Sequence, residues 1–249
     1  MNCGVVYLAL GALYRDFTIL SIQWLRRFGY SGPIRVVTDL PDWPVDRLGC
    51  EIVNVPSLDQ GVPTRQYKTR LDIYGYDTTL YLDADTLPVS SIDDIWQEAS
   101  FADVCMTPDR HLNIQDLVDE RAKSKKVWQG WTPSSQEQRE KEFRYMAELR
   151  LMLVPYFNAG VMLFRRNAAT ARLFEVWHEE WSRFRNEDQL ALVRAIDKTG
   201  IRVHTLDSSW NGRLMDHGTI EKAQADGARI LHLRPWEAQL VQSLREQSA

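Results

Sequence analysis

The sequence predicts an α/β fold: a single doubly wound, mostly parallel sheet flanked by helices. Three observations carry this expectation. Short, continuous apolar runs alternate with longer segments whose apolar residues recur at helical spacing, the pattern of successive βαβ units. The runs are apolar throughout rather than alternating with polar residues, which suits strands buried on both faces of a parallel sheet. The chain has 249 residues, 44% hydrophobic and 26% charged, ordinary for a soluble globular protein able to bury a substantial core. One domain over 1–249 is the simpler reading.

The first apolar run, residues 4–10, is bounded by turn-like residues and predicts the first strand. An amphipathic helix follows, with Phe17, Leu20, Trp24, Leu25 and Phe28 at helical spacing and Asp16 as its cap. Gly29 and Gly32-Pro33 stop it. Residues 34–38 and 51–55 predict two further strands. Thr64 is placed to cap a helix carrying Tyr67, Leu71 and Tyr74. Residues 79–82 form a fourth strand that runs directly into Asp83-Ala84-Asp85. Asp93 begins a short helix through Ile95 and Trp96, and residues 104–106 form another strand.

The stretch 110–155 is more polar and less regular, which predicts a surface insertion with helices. Residues 157–164 return to core-like composition. Helices over 168–184 and 186–199 and late strands at 201–206 and 229–233 complete the pattern.

The formal charge of −4 gives no basic face for a phosphate backbone, so a nucleic-acid partner is not expected. Three cysteines, Cys3, Cys50 and Cys105, have no zinc-site or disulfide spacing and favour a reducing compartment. The apolar run from Val5 to Leu13 has no basic region before it and no evident cleavage site after it, so no signal peptide is expected. No segment approaches the ~20 apolar residues of a membrane span. The expectation is a cytoplasmic protein without a transmembrane segment. Nine tryptophans suit stacking on sugar faces as well as ordinary packing.

Asp83 and Asp85 lie at the carboxyl end of a strand, where ligands bind in open α/β sheets. Alternate residues of an extended chain point the same way. The pair therefore presents two carboxylates to one side, with small Ala84 between them. Two neighbouring anions repel unless a cation or proton lies between them. A hard divalent cation accepts oxygen ligands and also holds a diphosphate, which is the arrangement that stabilises a departing nucleoside diphosphate. Two surface aspartates in a strand-end turn are the bland alternative. A phosphatase of the haloacid dehalogenase type is a rival, but it carries Thr or Val two residues after its second aspartate, where this chain has Leu87.

Four segments in order bear a resemblance to one family. Residues Tyr81-Leu82-Asp83-Ala84-Asp85-Thr86-Leu87-Pro88-Val89 resemble the core motif of glycosyltransferase family eight, the family of glycogenin and the bacterial lipopolysaccharide galactosyltransferases. Tyr156-Phe157-Asn158-Ala159-Gly160-Val161-Met162-Leu163 resembles its Phe-Asn-Ser/Ala-Gly-Val-Met segment, Asp188-Gln189 its Asp-Gln element, and His232-Leu233-Arg234-Pro235-Trp236 its terminal His…Lys-Pro-Trp motif. The terminal motif lacks the family's Gly after His, and Arg234 stands where the family has Lys.

The resemblance implies the A-type glycosyltransferase fold and transfer of a hexose from a nucleotide-sugar donor, most often UDP-linked, to a hydroxyl acceptor. It also implies manganese (or magnesium) and retention of anomeric configuration. His232 becomes the third metal ligand beside Asp83 and Asp85. Arg234, a guanidinium able to fork two phosphate oxygens, and Lys68 fall beside the diphosphate. Tyr14 matches the family tyrosine that stacks on the uracil ring, and Asp39 is a further base contact. Asn158, Ala159 and Gly160 together with Gln189 fall at the donor sugar, which Asp188 also contacts; Asp188 and Arg234 are the residues expected to act in catalysis. Trp210-Asn211-Gly212 stands where the family has an aromatic-Asn pair, and Trp128 and Trp131 are candidates for an acceptor platform. The insertion at about 110–155 is expected to shape the acceptor site. Two other functions stay open: nucleotidyl transfer, disfavoured by the single glycine in Leu10-Gly11-Ala12-Leu13-Tyr14-Arg15, and a non-catalytic carbohydrate-binding protein of the same fold.

Overall fold

The computed structural model describes residues 2–56, 64–123 and 133–234. The chain opens with β1 (Cys3–Ala9), α1 (Ala12–Arg27), β2 (Ile34–Thr38), α2 (Val45–Leu48), β3 (Glu51–Asn54) and α3 (Arg65–Lys68). A short 3-10 turn, Leu71–Ile73, leads to β4 (Thr78–Asp83), β5 (Thr86–Pro88), α4 (Ile95–Glu98) and β6 (Val104–Asn113). Then come α5 (Ile114–Lys123), α6 (Pro133–Glu148), β7 (Pro155–Arg165), α7 (Ala168–Phe184) and α8 (Asp188–Thr199). The last elements are β8 (Val203–Thr205), β9 (Gly212–Arg213), α9 (Leu214–His217), α10 (Ile220–Ala225) and β10 (Ile230–His232).

The main sheet runs β3-β2-β1-β4-β7-β6-β8. Strands β3, β2, β1 and β4 are parallel, and β8 is parallel to β6. Among the described residues, only the pairings made by β7 are antiparallel in this sheet. The unbroken apolar runs are explained by burial on both faces. On one face Val5, Tyr7 and Ala9 of β1 pack with Ile19, Ile22 and Leu25 of α1. On the other, Val6 and Leu8 pack with Leu173, Phe174 and Trp177 of α7.

A small sheet, β5-β10-β9, lies beyond α1. The rest of the α1 surface, Phe17, Leu20 and Trp24, packs with Leu87, Leu214 and Leu231. Helix α1 is therefore apolar around most of its circumference because it is held between two sheets.

Local structure departs from the sequence-based expectation in four places. Helix α1 begins at Ala12, not at Asp16, with Gly11 at φ 80° as its N-cap residue. The acceptor at its mouth comes from another element: Gly11 N–H donates to Asp39 Oδ1 at 2.9 Å. The helix expected after Thr64 breaks at Arg70, which leaves helical geometry at φ −133°, and Thr64 makes no side-chain cap bond. Asp93 likewise does not start α4, whose N-cap residue is Asp94. Strand β6 continues to Asn113, seven residues past its predicted end, because β7 pairs with it as far as Asn113↔Pro155. Tertiary pairing overrides the polar composition there.

The polar stretch does contain helices, α5 and α6. They have an apolar core of their own: Ile114, Leu117, Met146 and Leu151 close on Leu190 and Val193 of α8. Polar contacts add to it. Fully buried Arg194 of α8 bridges Glu142 of α6 at 2.9 Å and Glu180 of α7 at 2.9 Å.

Candidate active site

The site forms where β4 ends. Asp83 is the last residue of β4, and Thr86 Oγ1 donates to its carbonyl oxygen at 2.8 Å, closing the turn that carries Ala84 and Asp85. Strand β5 leaves that turn and pairs antiparallel with β10, in the register His232↔Thr86. Leu233 N–H donates to the Asp85 carbonyl at 2.7 Å. Two residues far apart in sequence are thereby set side by side, and one ligand atom from each of Asp83, Asp85 and His232 lies within 4.8 Å of the others.

Charge in the site is balanced in pairs. His232 Nε2 faces Asp85 Oδ1 at 3.3 Å. Burial works against charge on both groups, but each partner outweighs it. The Asp85 carboxyl is held below its ordinary range by the imidazole, and His232 is raised above its own by Asp85 and then Asp83. Lys68, buried at the end of α3, places Nζ 2.8 Å from Asp83 and 3.2 Å from Asp188. Burial disfavours its charge, but Asp188 and Asp83 raise its pKa overall. Tyr81 Oη donates to Asp83 Oδ1 at 2.5 Å.

Asp188 begins α8, and its position is fixed by the core: Trp177 Nε1 donates to its carbonyl oxygen at 2.7 Å. Burial alone would raise its carboxyl, but Lys68 and then Arg65, whose Nε lies 3.1 Å away, bring it down to about 2. The stability sign follows from the direction. A depressed folded pKa contributes stability above the unfolded value and loses it as the pH falls towards 2.

These groups line a cavity of about 920 Å³. Of the residues singled out by the sequence, Tyr14, Lys68, Asp83, Ala84, Asp85, Asn158, Asp188, Gln189, His232 and Arg234 form its walls, as does Asn211. Asp39, Ala159 and Gly160 are not among the wall residues. Asp39 is engaged by Gly11, and Gly160 serves a neighbour: a Cβ there would stand 2.5 Å from Cε1 of His232. Burial, then the Asp85 and Asp83 carboxylates, raises the Tyr14 pKa. Trp128, Trp131, Pro235 and Trp236 lie outside the described residues.

Arg65 and Asp109 are among the wall residues that the sequence reading did not single out. Arg65 lies three residues before Lys68, one helical turn away, and that spacing was its only signal. Asp109 falls between the strand predicted at 104–106 and the polar stretch 110–155, and the sequence reading gave it no role. Its Oδ1 accepts from His111 N and approaches His111 Nδ1, both at 3.0 Å. Its Oδ2 turns towards Asn158 Nδ2 at 3.5 Å and Gln189 Nε2 at 3.4 Å. The other nitrogen of His111 lies 2.7 Å from Glu120 of α5, which ties the insertion to this wall.

The register of β6 and β7 shifts between Met106↔Met162 and Thr107↔Asn158. The extra residues form a bulge beside the cavity, a device that re-aims side chains. Asn158 Oδ1 accepts from Gly160 N–H at 2.8 Å across it.

No family model matches the sequence, and no curated protein does. Solved structures match the fold. A galactosyltransferase, LgtC, crystallised in complex with donor and acceptor sugar analogs, aligns over 98% of this chain and 95% of its own, at 16% identity and a TM-score of 0.63. Mouse xyloside xylosyltransferase 1 aligns over 92% of this chain and 96% of its own, at 15% identity and a TM-score of 0.57. The bifunctional glycosyltransferase WbbM aligns over 98% of this chain at 14% identity and a TM-score of 0.61, and the chain spans 49% of WbbM's length. The chain has the mixed α/β fold of the A-type glycosyltransferases. No helix among the described residues is long and apolar enough to cross a membrane.

Proposed function

We propose that the chain is a metal-dependent glycosyltransferase of family eight that moves a hexose from a UDP-sugar to a hydroxyl acceptor. The observation that carries this reading is the convergence of Asp83, Asp85 and His232 on one point in the wall of a cavity of about 920 Å³. Ligand pockets run roughly from 300 to 1,000 Å³, and this cavity lies at the large end of that range. Carboxylates suit manganese and magnesium alike, while an imidazole tilts the set towards manganese. When bound, the cation supplies positive charge against the donor's diphosphate.

The other wall residues divide the remaining work. Tyr14 offers an aromatic face to the base, and Arg234 a fork for the phosphates. Lys68 buttresses Asp83 and Asp188 and adds its charge to the phosphate side. Asn158, Gln189 and Asp109 surround the space for the sugars. Residues 1–249 act as one domain, with 110–155 supplying the acceptor wall; Arg110 and Leu112 already stand in the cavity lining.

The ion pairing of Asp188 with Lys68 and Arg65 supports retention of configuration. Inversion needs a base opposite the leaving group to take the acceptor proton. A carboxyl held at about 2 is a weak base, and Asp188 is already bound to two cations. The acceptor hydroxyl then attacks on the face that the diphosphate leaves, and its proton passes to the departing phosphate oxygen. Proton NMR of the product anomer tests this step: inversion would move the role of base to Asp109, the other carboxylate on the sugar side.

Donor class is tested by thermal shift with manganese against UDP-glucose, UDP-galactose, UDP-GlcNAc, GDP-mannose and CMP-sialic acid. A UDP-sugar is expected to raise the unfolding midpoint while GDP-mannose and CMP-sialic acid do not. Stabilisation by none of the UDP-sugars would contradict the reading.

A further inference from the structure

The nitrogen that His232 turns towards the aspartates is selected by hydrogen bonds that begin at a backbone amide. Gly160 N–H can only donate, so the Asn158 atom 2.8 Å from it is the carbonyl oxygen Oδ1. That same oxygen is met at 3.0 Å by the Asn211 side chain, which must present its amide nitrogen Nδ2. Asn211 is thereby oriented with its own Oδ1 towards His232 Nδ1, 3.2 Å away. A carbonyl oxygen only accepts, so Nδ1 must carry a proton. In the neutral ring, the form that can bind a metal, the lone pair is then on Nε2, which faces Asp85 Oδ1 at 3.3 Å.

Packing fixes the ring in the same sense. A Cβ at residue 160 would come within 2.5 Å of Cε1 and 2.8 Å of Nδ1 of His232. Glycine at that place in the bulge therefore gives the imidazole its seat.

We propose that Asn211 is a positioning residue, oriented by Asn158 and the Gly160 amide, that dedicates Nε2 of His232 to a divalent cation shared with Asp83 and Asp85. The inference rests on the metal site proposed above. It gives Asn158 and Asn211 a role independent of any sugar contact. A hydrogen bond to the far nitrogen of a metal-bound histidine is typically worth 10–100-fold in metal affinity.

The test is manganese titration of the full chain in the presence of UDP, with free ion read by electron paramagnetic resonance. Electron spin-echo spectroscopy adds a direct readout of nitrogen bonded to the ion. The wild type is expected to bind with a directly bonded nitrogen, and His232→Gln to lose that signal. Asn211→Leu keeps the size of the side chain and removes both polar atoms. It is expected to bind manganese about 10–100-fold more weakly. Gly160→Ala displaces the ring instead of the hydrogen bond and should diminish the nitrogen signal; it carries the test if Asn211→Leu does not unfold cooperatively. Unchanged affinity and an unchanged nitrogen signal in the folded variants overturn the positioning role and leave the metal site standing. A wild type that binds no manganese overturns the metal site and the positioning role together.

Discussion

At the scale of single residues, the site is a set of carboxylates whose charges are held by specific partners. Asp85→Asn is nearly isosteric and should keep the fold. On the proposed function it removes an anionic metal ligand beside the leaving group, and transfer is expected to fall on the order of 100–1,000-fold, the usual cost of one electrostatic contact of this kind. Steady-state kinetics beside a circular-dichroism spectrum check both halves; unimpaired transfer would make the pair structural. Asp188 gives a pH prediction. Its carboxyl lies at about 2 against an unfolded value of ~3.9, a depression worth about 2.5 kcal/mol at neutral pH. Urea unfolding of wild type and Asp188→Asn should differ by about that amount at pH 7. The gap should close as the pH falls through 4 towards 2, and a gap independent of pH would deny the pairing with Lys68 and Arg65. Legibility at this scale depended on chain separation. Asp83 and Asp85 were readable because two residues of spacing and one strand end define them. His232 was placed only through the resemblance, since nothing near it in sequence reveals that β10 pairs with β5. Asp109 and Arg65 carried no distinctive local signal.

At the scale of elements, most strands were legible and most helix starts were not. Strands of the main sheet are buried on both faces, so their apolar runs are nearly continuous, and residues 34–38 were bounded as they stand in β2. Helix α7 also begins and ends where its pattern does, because Asn167 and Thr170 form a capping box within the segment itself. Helix α1 failed at its start because its acceptor, Asp39, belongs to the end of β2. The polar stretch hid an organised layer. Arg194 is fully buried between Glu142 and Glu180, and Asn186, just before α8, donates to Glu142 at 3.1 Å. This network docks α6 onto the α7–α8 corner that presents Asp188. Arg194→Met fills the space but strands Glu142 as an uncompensated buried charge. Loss of one partner from such a network costs about 3–5 kcal/mol. Chemical denaturation measures it, and a loss under about 1 kcal/mol, the level of exposed ion pairs, would show that α6 is held by its apolar contacts alone.

At the scale of the whole molecule, the fold brings distant segments to one cavity, among them the end of β4, the bulge of β7, the start of α8 and the end of β10. Sequence comparison finds no matching family model or curated protein, whereas the fold aligns with glycosyltransferases along almost the whole chain. The topology is shared although the sequences differ, and the chemistry must be argued from the site. Manganese and UDP should bind cooperatively, since a diphosphate completes the oxygen ligands that two carboxylates and an imidazole leave open. Each should raise the unfolding midpoint more in the presence of the other, by mass action on the folded state; equal shifts would separate the two sites. The most direct measurement is release of UDP from a panel of UDP-sugars by the purified chain, with manganese, after its removal by chelation, and with Asp85→Asn. The account predicts UDP release from at least one donor that stops on chelation, resumes on adding manganese back, and is nearly lost in Asp85→Asn. Release that persists without metal and in Asp85→Asn, or no release from any UDP-sugar with manganese present, would contradict it.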